Sequence, residues 1–359
     1  MTLTAPGGAP DQAPPGEDRP ARRSWRPVDL GPVLDGTWRR PEPTVGHRDD
    51  GKGLFYPGRV HVVAAEAEAG KTWFALAAIA AELALGNACL YLDFEDDEGG
   101  IAGRLMTMGC DREAIRKQFA YIRPEDPVGG LGRADLEEAI ADLAPTLAVI
   151  DGVTEAMTLH GLELKDNTDV AAFGRMLPRW IAARGPATVA LDHVVKDREA
   201  RGGHAIGGVH KLNGLNGAMY LLENKTPFGV GLTGRSRVLI RKDRPGQLRR
   251  HGTPSHDGLV WYADLEVRSH GEDFAETSLP APAAGPAGVF RPTAIMTAIS
   301  NALTAAPAGL SKNAIEGAVT GKATTVRYAL ELLVSEGYVA VERRGPASYH
   351  KPVRPFPDG

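Results

Sequence analysis

The sequence predicts an α/β fold built on a mostly parallel sheet, with a small helical unit appended toward its C-terminal end. Three observations carry this prediction. Short apolar, β-branched runs alternate with helical patterns from Leu54 onward, as expected of parallel strands covered on both faces. Several of these runs end in polar residues, at Glu95, Asp151 and Asp192-His193, and ligands in such folds sit at the carboxyl ends of the strands. After a Pro/Ala/Gly-rich stretch, three further helical patterns and a hairpin pattern follow from Pro292.

The chain has 359 residues, 43% of them hydrophobic and 24% charged, which suits one large globular domain and a small one. No apolar run is long enough to cross a membrane, and the N-terminus lacks the apolar core of a signal peptide. Cys89 and Cys110 have no metal-ligand spacing and imply no disulfide framework, so a reducing, cytoplasmic setting is expected. The net charge of −4 removes bulk charge as a sign of nucleic-acid binding; any basic surface must be local.

Taken in order, residues 1–23 are Pro, Gly, Ala and charge without periodicity, and a disordered tail is expected. Residues 24–53 carry the spaced apolar residues Trp25, Val28, Leu30, Val33, Leu34 and Trp38 and read as an arm, packed either on its own domain or on a neighbouring subunit. Residues 54–269 form the expected α/β domain. Strands are predicted over 59–64, 88–95, 121–122, 146–151 and 187–191, with helices over 72–85, 96–108, 112–119, 134–143 and 167–183 between them. Gly86 ends the first helix and Asn167 caps the last. Residues 194–216 break the alternation with glycine and basic side chains. Strands over 218–222, 236–241 and 258–267 follow, and their shortness and turns read as antiparallel. Residues 270–288 read as a linker. Residues 289–355, with helices over 292–303, 311–319 and 323–336 and strands over 338–343 and 348–353, have the layout of a winged helix-turn-helix.

The organising stretch joins the first of these strands to the first of these helices. It reads Ala65-Glu66-Ala67-Glu68-Ala69-Gly70-Lys71-Thr72, with Trp73 continuing the helix. This is the setting of a P-loop: backbone N–H groups and a helix N-terminus cradle phosphates, Lys71 reaches the β and γ phosphates, and Thr72 holds Mg²⁺. Ala65 stands where the usual pattern has glycine, so either a strained loop or a slightly different backbone path is expected there. Glu66 and Glu68 must point outward or repel the nucleotide. The alternative is a chance Gly-Lys-Thr in a loop.

Phosphoryl transfer also needs a carboxylate for the metal, a group that orients water, and a cation for developing charge. Asp151, ending an apolar strand, fits the first; the alternative is an acid at an ordinary strand end. Glu95 fits the second, with Asp93 as its rival on the same strand face. His193 fits a phosphate or water contact, or else packs a helix.

These stretches together resemble the RecA-like P-loop ATPases of the RepA and DnaB hexameric helicase group, most closely the actinobacterial and phage AAA-type ATPases of RepA character. The resemblance covers residues 54–267. It rests on Ala65 to Thr72, Tyr91 to Asp96, Leu147 to Asp151, Leu191 to His193 with Lys196, and Lys242-Asp243-Arg244-Pro245-Gly246. It implies ATP and Mg²⁺ as cofactors, Glu95 as the catalytic acid, and His193 as the sensor of the γ-phosphate. It implies that Lys242 and Arg244 reach a neighbour's nucleotide as an arginine finger, in a homo-oligomer of hexamer type. It implies single-stranded DNA in the central channel, at the loop carrying Lys196, Arg198, Arg201, His210 and Lys211. The C-terminal unit lies outside this pattern.

In that unit Lys322, Thr325 and Arg327 open the third helix, and Arg343 and Arg344 lie on the wing, where phosphates of duplex DNA would be met. The alternative is a protein-docking winged helix or a solvated charged face. The expected function is an ATP-dependent DNA motor, a replicative helicase or translocase of phage or plasmid type. The alternative is a nucleotide-gated DNA-binding switch, such as a helicase loader or regulator, without unwinding.

Overall fold

The computed structural model describes residues 27–193, 215–282, 292–321, 323–344 and 347–356. The chain divides into a short unit ending at Arg40 and a larger one from Pro41 onward. In the short unit α1 (Gly31–Leu34) is a single turn with Pro32 at its start, and it buries none of its residues.

The larger unit opens with a hairpin of β1 (Val45–His47) and β2 (Gly53–Phe55). Then come β3 (Val60–Ala65), α2 (Lys71–Ala84), β4 (Cys89–Asp93), α3 (Glu98–Thr107), α4 (Arg112–Gln118), β5 (Phe119–Ile122) and α5 (Gly130–Leu143). Next are β6 (Leu147–Asp151), α6 (Val153–Leu159), α7 (Asn167–Met176), α8 (Pro178–Ala182) and β7 (Ala187–His193). Side-chain caps start three of these helices: Asp97 accepts from Gly100 N, Asp111 from Ala114 N, and Asp166 from Thr168 N and Asp169 N. Asp166, not Asn167, is therefore the cap of α7. The single helix expected over 167–183 is broken at Pro178, which has no N–H to donate and whose ring clashes with the preceding turn.

The second half adds β8 (Ala218–Thr226), β9 (Thr233–Asp243), β10 (Thr253–Pro254), β11 (Val260–Ser269) and β12 (Ala275–Ser278). Among the described residues the main sheet runs β10-β11-β9-β8-β3-β7-β6-β4-β5, with β12 paired to β11. From β8 to β5 every neighbouring pair is parallel. The antiparallel pairing expected of the strand at 218–222 holds on one edge only: β8 pairs antiparallel with β9, while on its other edge it runs parallel to β3, with Val62 opposite Met219 and Ala65 opposite Leu222. The antiparallel part begins at the β8–β9 hairpin. A central strand needs partners on both edges, and β8 supplies the second edge of β3.

Both faces of the sheet are buried, and the period of two along β4 shows it. Cys89 and Tyr91 join one apolar cluster with Phe74, Leu76 and Ile79 of α2, while Leu90 and Leu92 join another with Ile140, Phe173 and Ile181. Two expected boundaries also move. The arm was expected to reach residue 53, yet β1 and β2 belong to the larger unit, where Gly46 N donates to the buried Glu82 carboxylate at 2.7 Å. The linker was expected from residue 270, yet β12 extends the sheet and Leu279 is buried. Polar and small residues mask a strand there because edge pairing uses the backbone alone.

Beyond this lie α9 (Thr293–Thr304), β13 (Leu310–Ser311), α10 (Lys312–Ala318), α11 (Ala323–Ser335), β14 (Val339–Arg344) and β15 (Ala347–Pro352). Ser311 caps α10 through Ala314 N. The strands pair in the order β13-β15-β14, and β13 is a two-residue strand that sequence periodicity does not register. Met296, Ile299, Leu303, Ile315, Leu330 and Leu333 form a separate apolar core.

Candidate active site

The ends of β3, β7, β6 and β4 lie side by side, with Ala65 opposite His193 and Asp93 opposite Asp151. Every side chain expected at the phosphate site except the Lys242–Arg244 turn is carried within two residues of one of these ends, on the loop from β3 to α2, or in the first turn of α2.

Ala65 is fully buried and still within β3, so of the two courses expected there the loop takes the second, a different path. The chain reverses at Glu68 and Gly70 instead, with φ of 61° and 83°. Glu68 takes the left-handed conformation that a glycine would adopt freely. Glu66, Ala67 and Glu68 are exposed, so both acids face outward as required. The loop is held from the second half of the sheet: Ser236 Oγ donates to Ala69 O at 2.9 Å, and Asn224 Nδ2 to Glu68 O at 3.2 Å. A Cβ on Gly70 would lie 2.8 Å from the Phe228 ring, so both space and backbone demand glycine. Trp73 packs its side chain against the core rather than lying open at the cradle.

Lys71 is buried, and Nζ lies 3.5 and 3.4 Å from Ala65 O and Glu66 O and 3.3 Å from His193 Nδ1. Burial lowers its pKa, opposed by Glu95, Asp151, Asp192 and Glu155. Thr72 Oγ1 donates to Asp151 Oδ2 at 3.1 Å, and Tyr91 OH donates to the same oxygen at 2.5 Å. Burial raises the pKa of Asp151, and these two hydrogen bonds oppose it. The Thr72 hydroxyl and the Asp151 carboxylate are hard oxygen donors placed together, which suits Mg²⁺ held by few protein groups and by phosphate and water. No group of three or more His, Cys, Asp or Glu that could hold a metal ion occurs among the described residues.

Glu95 and its rival separate cleanly. Asp93 is fully buried and accepts from Glu95 N and Asp96 N at 2.9 Å each and from Tyr121 OH at 3.0 Å. It shapes the turn that presents Glu95. Strand β4 ends at Asp93, so the period-two argument that put both acids on one face does not reach Glu95. Glu95 Oε1 lies 3.4 Å from His193 Nε2. Its pKa is raised to about 8, first by burial, then by a hydrogen bond with Glu155 and the charge of Asp151, against Lys71.

Arg244 is exposed and lies at the other end of the sheet. Its N–H donates to Gly217 O, and Asp243 pairs with Ala218, at the start of β8. Five residues of strand separate Gly217 from Leu222, the partner of Ala65. At about 3.3 Å per residue that is roughly 16 Å, beyond the reach of an arginine side chain. Asp243 does not hold Arg244: its carboxylate accepts from Tyr56 OH, Gly246 N and Leu248 N. Lys242 is half-buried, and burial lowers its pKa, with Arg244 adding to the effect.

In the C-terminal unit Thr325 is half-buried, and Arg327 is exposed but bound to Glu316 by two bonds of 2.7 and 3.0 Å. Arg343 is exposed. Lys196, Arg198, Arg201, His210, Lys211 and Lys322 lie outside the described residues, as does the side chain of Arg344.

Sequence reasoning missed Tyr91, Glu155, Asn224, Phe228 and Ser236. Tyr91 left a signal, since a tyrosine inside a buried strand needs a hydroxyl partner. The others act across long chain separations and left none.

Residues 34–199 match the family model described as an AAA domain. Among solved structures, a KaiC-like protein from the hyperthermophilic archaeon Pyrococcus horikoshii OT3 is similar with a TM-score of 0.44 and 14% identity, over 67% of this chain and 98% of that one. No curated protein matches the chain. No helix among the described residues is long and apolar enough to cross a membrane. The strand–loop–helix at Gly70-Lys71-Thr72, the parallel strands of the sheet and the AAA-domain match over residues 34–199 are those of a P-loop nucleotide-binding domain.

Proposed function

We propose that the protein is an ATP-dependent DNA motor, a helicase or translocase of the RepA and DnaB kind, working as a ring of identical subunits. One observation carries the reading: Lys71, Thr72, Asp151, Glu95 and His193 converge where four neighbouring strands end. Lys71 binds the β and γ phosphates, leaving its present carbonyl and imidazole partners. Thr72 and Asp151 hold Mg²⁺, which offsets phosphate charge and orients the phosphate oxygens. Glu95, in its ionised form, takes the proton of the attacking water, and His193, between Glu95 and Lys71, reports the γ-phosphate to the acid.

The distance of Arg244 from its own cradle supports a finger that acts on a neighbour's nucleotide, with Lys242 beside it. That arrangement makes each site incomplete without a second copy. The C-terminal unit, with three helices and a three-stranded sheet, has the layout of a winged helix. In this reading α11 and the β14–β15 hairpin meet duplex DNA through Lys322, Thr325, Arg327, Arg343 and Arg344. The loop with Lys196, Arg198, Arg201, His210 and Lys211 meets single-stranded DNA in the channel. The pairing of Arg327 with Glu316 favours a second reading for this unit, docking of a protein, because it removes a cation from the helix face.

Unwinding of a forked duplex by the full chain under ATP and Mg²⁺ tests the proposal. Strand separation that requires hydrolysable ATP is expected. ATP turnover and DNA binding without separation would replace the motor by a nucleotide-gated switch.

A further inference from the structure

Glu155 opens α6, four residues beyond Asp151, and its side chain is exposed. An acid in a first helical turn suits the helix dipole, and that role alone would explain it. Its surroundings point further. Gly152, with φ of 87°, joins β6 to α6 and leaves a bare backbone surface between the two glutamates. A Cβ on Gly152 would lie 2.6 Å from Glu95 Cγ, 3.2 Å from Glu95 Oε1 and 3.1 Å from Glu155 Oε2. Both side chains thus lie over the one residue that offers no side chain of its own. Glu95 Oε1 and Glu155 Oε2 therefore both lie within 3.2 Å of that one point, which brings the two carboxyl groups together across the glycine.

We infer that Glu155 is the positioning residue of Glu95: it pairs with that carboxyl group across Gly152 and sets which oxygen faces the nucleotide. The inference rests on reading Glu95 as the group that takes the proton of water. Glu95 sits on a turn beyond the end of its strand, with an acyclic side chain whose rotamers the turn does not choose. Two contacts choose for it. His193 Nε2 approaches one oxygen, Oε1, at 3.4 Å, and Glu155 Oε2 faces the carboxyl group from the α6 side, across Gly152. The polar groups facing Glu95 are Lys71 from α2, Asp151 from β6, His193 from β7 and Glu155 from α6. Of these only Glu155 is unclaimed by phosphate, metal or phosphate sensing. Losing it leaves the cradle intact and frees the acid to rotate, and misplacement of a reacting group by about 1 Å costs up to about 100-fold in rate.

The test compares Glu155→Ala with Glu155→Gln in the full chain. Glutamine keeps a hydrogen-bonding partner for Glu95 but removes the charge that would serve the helix dipole, so the two roles give opposite patterns. Positioning predicts that Glu155→Ala lowers kcat for ATP about tenfold or more with KM nearly unchanged, and that Glu155→Gln restores most of it. A dipole role predicts that both variants lose the same stability and neither loses kcat. A second measurement needs no turnover: a double-mutant cycle of Glu95→Ala and Glu155→Ala on urea unfolding of the nucleotide-free protein. Non-additive midpoints are expected. Additive midpoints, or an unchanged kcat in Glu155→Ala, overturn the inference. If the wild-type protein hydrolyses no ATP, the proposed function fails and the positioning role with it, while the cycle still decides whether the two acids pair.

Discussion

Lys71 Nζ lies 3.3 Å from His193 Nδ1, and His193 Nε2 in turn lies 3.4 Å from Glu95 Oε1. One imidazole therefore stands between the lysine proposed to bind phosphate and the acid proposed to act on water. In that proposal, phosphate bound at Lys71 competes with His193 for the ammonium group, which would tie occupancy of the cradle to the surroundings of Glu95.

Lys71→Ala should abolish ATP turnover and leave the fold in place. The lysine is buried with carbonyl oxygens and an imidazole around it, and no core packing depends on its charge. Loss of the phosphate cation should lower kcat by several orders of magnitude, on the scale of about 10³ for a comparable charge contact. Steady-state hydrolysis with circular dichroism checks it, and unchanged turnover would remove the P-loop assignment.

Glu95→Gln should keep ATP binding, stop hydrolysis, and change how stability depends on pH. In the fold Glu95 keeps its proton to about pH 8, against an ordinary value of 4.5. Between these values the folded protein binds a proton that the unfolded chain has lost, so stability from this group falls as pH rises through the window. Urea midpoints of the nucleotide-free protein should drop from pH 5 to pH 8 more steeply in wild type than in Glu95→Gln. Equal slopes would mean that Glu95 titrates normally.

Arg244→Ala should be nearly inactive alone and should regain activity when mixed with Lys71→Ala. The strand register puts Arg244 roughly 16 Å from its own cradle, so rescue requires an interface joining an intact P-loop to an intact finger. A finger supplied by a neighbour contributes about 10³–10⁵ in rate in known phosphoryl-transfer systems. A near-wild-type rate for Arg244→Ala would leave it as a surface residue and take away the main reason for expecting a ring.

Arg343→Ala in the full chain should weaken duplex DNA binding at low salt and flatten its salt dependence, since each phosphate contact contributes about −0.9 to the slope of log K against log salt. Glu316→Gln should strengthen binding by releasing Arg327 from its ion pair. Fluorescence anisotropy over a salt series reads both. Binding indifferent to both changes would favour docking of a protein on this unit.

What the sequence alone determined is local. Gly70-Lys71-Thr72 between an apolar strand and an Ala-rich helix, the acids at the ends of β4 and β6, and the histidine at the end of β7 are each legible within a few residues, because strand period and helix propensity act at that range. The cap at Ser311 belongs to the same class. Which edge a strand pairs with was not legible. Neither β8 running parallel to β3 nor β12 joining β11 follows from the residues of those strands, since backbone pairing is nearly indifferent to them. The site divides in the same way. The sequence supplied the acids, but only the tertiary structure separated Asp93 from Glu95, put the reversal of the loop at Glu68 and Gly70 rather than at Ala65, and brought Glu155 over Gly152 to meet Glu95. Those contacts join residues far apart in the chain, and they form only when parallel strands set their ends level.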